Sequence, residues 1–354
     1  DIAVILDKAR AIAASTIKAN RREDGLYHSY NLLHLDDGLA SISWLQLMLE
    51  GQVAVLSSGL LKAGDTLDLL RTLRTSSLYR EDQHTYILYP EKKLPRYLEK
   101  NRVPDSVLGH SPALAALVES GDRAVVYRDA DGQLRFNPDL ANACALRERL
   151  PDGFPASEAE AILDTYEEVF RHKAFTGRSG TMYGYEGIGC VYWHMIGKLL
   201  LAVQEIFEKA VADGESEEIV SELRDRYLDI RAGMGFMKSP DAFGAFPLDP
   251  YSHTPGFAGA KQPGMTGQVK EEILTRWGEL GVQVHDGTIS FRPRLLPDAE
   301  FLAGPASLSY IDTGGQPRSL PLEKGSLAFT FCQVPVVYVP AERERLVIEA
   351  ADAA

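Results

Sequence analysis

The spacing of apolar and polar positions is helical over most of the first 280 residues and alternating after them. Apolar residues recur at i, i+3 and i+4 over residues 2–20, among many alanines, and predict an opening helix. After the loop Glu23-Asp-Gly-Leu-Tyr-His-Ser-Tyr-Asn31 and the turn Asp36-Asp-Gly38, a segment apolar on most faces predicts an inner helix over about 39–58. A further helix over about 65–77 follows Ala63-Gly-Asp65. Residues 80–155 lose the helical period. Thr85-Tyr-Ile-Leu-Tyr89 has strand character, 106–119 reads as a helix, and Ala124–Arg128 with Gln133–Phe136 flank Asp131-Gly132 as a hairpin. The region reads as an α/β insertion that either covers a site or decorates the fold.

Helices resume at Ser157 and run to about His172, then over about 187–213 and 216–233. From Gly233 to Gln262 the chain is rich in Gly, Pro and aromatics and has no period. So long a loop in a compact protein is functional or disordered, and its aromatics argue against disorder. A last helix spans about 265–280. Hairpin signals at 282–285 with 288–291, then strands near 306–311, 318–322, 326–331, 334–339 and 345–349, predict a small all-β module. The expected fold is therefore mainly α with a β cap. A helical domain over 1–280 carries an insertion near 80–155, and a β-sandwich-like domain covers 281–354.

A net charge of −13 excludes nucleic acid and anionic membrane as partners, since both need basic patches. Three widely spaced cysteines, Cys144, Cys190 and Cys332, give neither a zinc spacing nor a disulfide framework, and point to a reducing, cytoplasmic setting. The most apolar run, Ile188 to Val203, is interrupted by His194 and Lys198 and is too short to span a bilayer. The chain opens on Asp1 rather than Met, which reads as the loss of an N-terminal portion of the same protein.

Two glycine-and-aromatic loops carry the candidate chemistry. The first, Gly177 to His194, holds Tyr183, Tyr185 and Glu186 ahead of the long helix. The second, Asp249 to Glu272, holds Asp249, His253, Lys261, Gln262 and Thr266. Neither is a nucleotide site: Gly184, Gly187 and Gly189 do not make G-x-G-x-x-G, and Met265 stands where a P-loop needs lysine. No G-x-S-x-G is present, and eight histidines without a ligand pair give no metal site. Glu186 is either an acid/base carboxyl or a first-turn helix carboxylate, and Asp249 either a site residue or the start of an Asx-turn. Thr266 either caps its helix or opens an anion site with Lys261 just upstream. Tyr27 and His28, with Tyr30 and Asn31, form a polar-aromatic cluster suited to sugars or, equally, to a core. Carboxylates, amides and aromatics without metal or nucleotide signals fit carbohydrate chemistry, in which one carboxyl protonates the leaving oxygen.

The run Gln262-Pro-Gly-Met-Thr-Gly-Gln-Val-Lys-Glu-Glu-Ile-Leu-Thr-Arg-Trp-Gly-Glu-Leu-Gly281, followed by Asp286-Gly-Thr-Ile-Ser-Phe-Arg-Pro293, resembles the C-terminal part of cellobiose-phosphorylase-like proteins, glycoside hydrolase family 94 and relatives. The order of elements over roughly 158–340 carries the resemblance further than any single motif. It implies an (α/α)6 toroid, here partial because the chain offers about seven long helices, followed by a jelly-roll-like β domain. It also implies a glycoside phosphorylase or hydrolase acting on β-linked oligosaccharides, with no cofactor and inorganic phosphate as co-substrate. Gln268 and Val269 replace the family's small residues after Thr-Gly, and no segment matches the one bearing its general-acid aspartate. That acid then lies in a missing part, or its role falls to Asp24, Asp37 or Glu186. The other reading is a non-catalytic carbohydrate-binding or structural C-terminal portion of a larger enzyme.

Overall fold

The computed structural model describes residues 2–36, 38–91, 95–171, 188–247, 250–263, 266–343 and 345–348. The chain divides into two compact units, Asp1–Thr275 and Arg276–Ala354.

In the first unit, helix α1 (Ile2–Ala19) buries none of its residues. The predicted helix over 39–58 is a strand and a shorter helix instead. Strands β1 (Asn31–Asp36) and β2 (Leu39–Trp44) pair antiparallel, and α2 (Leu49–Ser57) follows. Gly38 explains the difference, because it takes a φ of 87° and reverses the chain where a helix was expected to start. Four helices then pack together: α2, α3 (Ala63–Thr75), α9 (Trp193–Asp213) and α10 (Glu217–Ala232). The apolar faces of α9 account for its central place, with Trp193, Ile196, Leu199, Leu200, Val203 and Phe207 all buried. At the foot of α10 the chain returns so closely that a Cβ on Gly233 would lie 2.0 Å from the His84 carbonyl oxygen.

Within this unit, residues 95–171 build a core of their own. It comprises α4 (Tyr97–Lys100), α5 (Ser106–His110), α6 (Pro112–Glu119), the hairpin β5 (Val126–Arg128) and β6 (Leu134–Phe136), α7 (Ala143–Arg149) and α8 (Ala156–Phe170). The helix expected over 106–119 is broken at Ser111-Pro112, where proline starts α6 and Ser111 accepts a hydrogen bond from the Leu114 amide. Phe136, Leu114, Leu134, Leu146, Ile162 and Tyr166 are sealed from solvent at the centre.

The loop from 233 to 262 contains short elements that its sequence hides. Strand β8 (Tyr251–Thr254) lies between β7 (Val191–Tyr192) and β9 (Lys261–Pro263), and β9 leads to α12 (Thr266–Glu279). Strands of two to four residues are too short to show a period.

Among its described residues the second unit holds three antiparallel hairpins: β10 (Val282–His285) with β11 (Thr288–Phe291), β12 (Ala306–Ile311) with β13 (Pro317–Leu322), and β14 (Leu327–Phe331) with β15 (Val334–Tyr338). Leu280, Val282, Leu296 and Leu327 form its core, flanked by Phe291, Phe301, Phe329, Phe331 and Tyr338. Residues 345–348 carry no strand.

These observations correct the expected architecture. Among the described residues there is no (α/α)6 toroid, whole or partial: the long helices gather around α9, and short hairpins interrupt their succession. Nor is there a β-sandwich or jelly roll, because the strands of the second unit stay in separate two-stranded ladders. Alternation along a strand predicts that it pairs, but not how many partners its sheet recruits.

Candidate functional site

The three-stranded sheet brings distant residues into one row. Tyr192 on β7 stands opposite His253 on β8, and His253 opposite Lys261 on β9. Cross-strand partners share a face of a sheet, so these three side chains form a line. Tyr192 and His253 stack, with ring centroids 4.9 Å apart and planes inclined by 13°. His253 Nδ1 lies 3.0 Å from Ser252 Oγ, and that hydroxyl donates to Gln262 Oε1 at 3.0 Å. Burial pushes the His253 imidazole below its usual range, partly offset by its contact with Gln262. Gln262 has a left-handed φ of 58°, uncommon for a residue with a Cβ.

Trp193, fully buried as the first residue of α9, ties that helix to the sheet: its Nε1 donates to Thr254 Oγ1 at 2.8 Å. One residue on, the His194 ring meets the edge of Tyr192 at 5.9 Å. Its Nε2 lies 3.5 Å from Glu271 Oε2 on α12. On the same helix Gln268 Nε2 donates to Glu272 Oε1 at 2.8 Å, and burial raises the Glu272 carboxyl above its usual range against that bond. The described geometry thus runs from Lys261 through His253, Tyr192 and His194 to Glu271.

A surface depression of about 420 Å3 lies on the β12–β13 hairpin, lined by Ser309, Tyr310, Ile311, Pro317, Arg318 and Ser319. Its one ionic lining residue, Arg318, is already held by Asp312 at 2.7 Å. Among the described residues no group of His, Cys, Asp and Glu is arranged to hold a metal, and no helix is long and apolar enough to cross a membrane.

The sequence candidates divide into three sets. His253, Lys261 and Gln262 come together on the sheet, and Thr266 begins α12 just beyond β9. Tyr27 and His28 belong to a different segment. Tyr27 is buried, and its backbone exchanges bonds with the Gln52 side chain at 2.9 and 2.8 Å. His28 stacks on Trp44 at 4.8 Å, and burial lowers its imidazole. Tyr183, Tyr185, Glu186 and Asp249 lie outside the described residues. Tyr192, His194 and Glu271 are not among the sequence candidates. The missed signal lies along α12, where Gln268, Glu271 and Thr275 are buried while Val269, Ile273 and Leu274 are exposed. A helix that turns its polar stripe inward is not organised by core packing alone.

Residues 94–173 match the family model of the GH149 phosphorylase insertion domain 2. The match supports a glycoside-phosphorylase-like family. It covers the separately cored segment of the first unit, well under half of the chain, and stops short of the residue row. It does not support family 94, the family of the sequence resemblance, specifically. A search of curated proteins finds no match to the chain.

Proposed function

We propose that the chain acts in the phosphorolysis of a β-linked oligosaccharide, with the β7–β8–β9 row and the head of α12 as its anion-binding side. The observation that carries this reading is the alignment of Lys261, His253 and Tyr192 across three strands, in a chain whose residues 94–173 match a phosphorylase insertion domain. Lys261 supplies a cation. The opening turn of α12 at Thr266 supplies backbone N–H groups and the positive end of a helix dipole. His253, kept largely neutral by burial, and Gln262 offer hydrogen bonds without adding charge. In the proposed reaction a carboxylic acid gives its proton to the glycosidic oxygen while a phosphate oxygen bonds to the anomeric carbon. The glycosidic bond breaks, leaving a sugar phosphate and a shortened sugar. Glu186 and Asp249 are the proposed acid/base carboxyls, and Tyr183 and Tyr185 the proposed sugar-contacting rings.

Incubating the chain with β-linked oligosaccharides, with and without phosphate, tests the reading. The expected result is phosphate-dependent release of sugar phosphate, abolished by Glu186→Gln. Lys261→Ala is expected to raise the KM for phosphate about tenfold, as loss of a charge-assisted contact does. Phosphate-independent sugar release would instead make the protein a hydrolase. Sugar binding without turnover would make it a carbohydrate-binding portion of a larger enzyme.

A further inference from the structure

The buried face of α12 carries a carboxylate that the proposed mechanism does not use. The Glu271 side chain is only 3% exposed, and its helix packs against α9 so closely that a Cβ on Gly197 would stand 3.4 Å from the Glu271 Cβ. A carboxylate buried at a helix–helix contact costs free energy unless a cation or donor meets it. Two basic groups do. Lys270 Nζ lies 3.4 Å from Glu271 Oε1 on a side chain that is 69% exposed, and His194 Nε2 lies 3.5 Å from Oε2 on the opposing helix. Among the described residues, Glu271 Oε2 and Gln268 Oε1 find no hydrogen-bond donor. The His194 pair is therefore in ionic range but short of a formed bond, at the place where α9 and α12 meet.

We infer that Glu271 is a positioning residue: its carboxylate orients the His194 imidazole across the α9–α12 contact and so fixes the head of α12 relative to the Tyr192–His253 stack. The inference rests on the anion-site reading above and adds a residue to it. His194 touches Tyr192, Tyr192 touches His253, and His253 pairs with Lys261. A shift of the His194 ring thus reaches Tyr192 and, through the stack, His253, the cross-strand neighbour of Lys261. Glu271 itself touches no proposed substrate.

Glu271→Gln keeps the shape and removes the charge, Glu271→Asp keeps the charge and withdraws it, and His194→Gln removes the imidazole. The expected result is that Glu271→Gln and His194→Gln each raise the KM for inorganic phosphate about tenfold with kcat little changed. The double variant should be no worse than either alone, because both break one pair. Glu271→Asp should recover part of the loss. Additive effects in the double variant, or a fall in kcat at constant KM, would overturn the assignment. A second readout does not need turnover. In protein labelled with 15N-histidine, the His194 ring resonances should move in Glu271→Gln while the protein keeps its wild-type circular dichroism. Unmoved resonances in a folded variant refute the pair. Absence of phosphorolysis in the wild type refutes only the reading on which the inference rests.

Discussion

The Lys238 ammonium sits where a charge is costly. Its Nζ donates to the Gly233 carbonyl oxygen at 2.7 Å and lies 5.0 Å from the Trp193 ring centroid. Burial first and the Arg80 guanidinium second, opposed by Asp82, together lower its pKa to about 8. Because the folded value lies below the unfolded one, the unfolded chain binds more protons between about pH 8 and the ordinary lysine range. The burial penalty is thus fully present below pH 8 and is relieved as pH rises above it. Urea unfolding of wild type and Lys238→Met at pH 7, 8, 9 and 10 checks this. Wild-type stability relative to the variant should climb from pH 8 to 10, and a pH-independent difference would show that the amine is not held this way. None of this was legible in the sequence, where Lys238 is one lysine in a loop without period. What places it is the buried indole of Trp193, brought beside it by a contact distant in sequence. His253 and Lys261 were singled out as candidates, whereas their alignment depends on strand register that no residue type encodes.

Long helices and turn-marked hairpins are legible in the sequence and the short strands β7, β8 and β9 are not, and the reason is length. Over its 21 residues α9 shows its apolar faces many times, whereas β7 has two residues in which to show anything. The same disparity explains why the 39–58 segment was taken as one helix. Its run of apolar residues suits a buried helix and a hairpin strand equally, and only the preceding turn separates them. One polar residue on α9 shows what holds the bundle in register. Gln204 is buried; its Nε2 donates to the Thr275 carbonyl oxygen of α12 at 2.8 Å and lies 3.3 Å from the Tyr227 hydroxyl of α10. One amide therefore ties three helices. Gln204→Met keeps the volume and removes both bonds from the buried contact, an expected loss of about 1–3 kcal/mol. Tyr227→Phe, which removes the longer contact and spares the shorter one, should cost less. Denaturant midpoints at constant m measure both, and an equal or reversed order would mean that packing alone joins these helices.

For the molecule as a whole, the segment that matches the phosphorylase insertion domain is also the one with the most self-contained core. Tyr166 illustrates its closure: the ring meets Phe136 at 4.9 Å and Phe170 at 4.7 Å, and its hydroxyl donates to the Leu140 carbonyl oxygen at 2.6 Å. Asn101, fully buried, binds both the amide and the carbonyl of Phe136 at 2.9 and 2.8 Å and so closes the hairpin onto the first helix. Its elements pack chiefly on one another. A segment of this size with one contiguous core lies in the range that folds alone. Residues 95–171 expressed by themselves should therefore unfold cooperatively in calorimetry. In the full chain, Phe136→Ala should remove about 3–5 kcal/mol from this segment, lowering one thermal transition and leaving the others in place. A fragment without a cooperative transition, or a variant in which every transition falls together, would mean that the insertion is stabilised by the rest of the chain. It would then be an integral layer of the first unit and not an appended module.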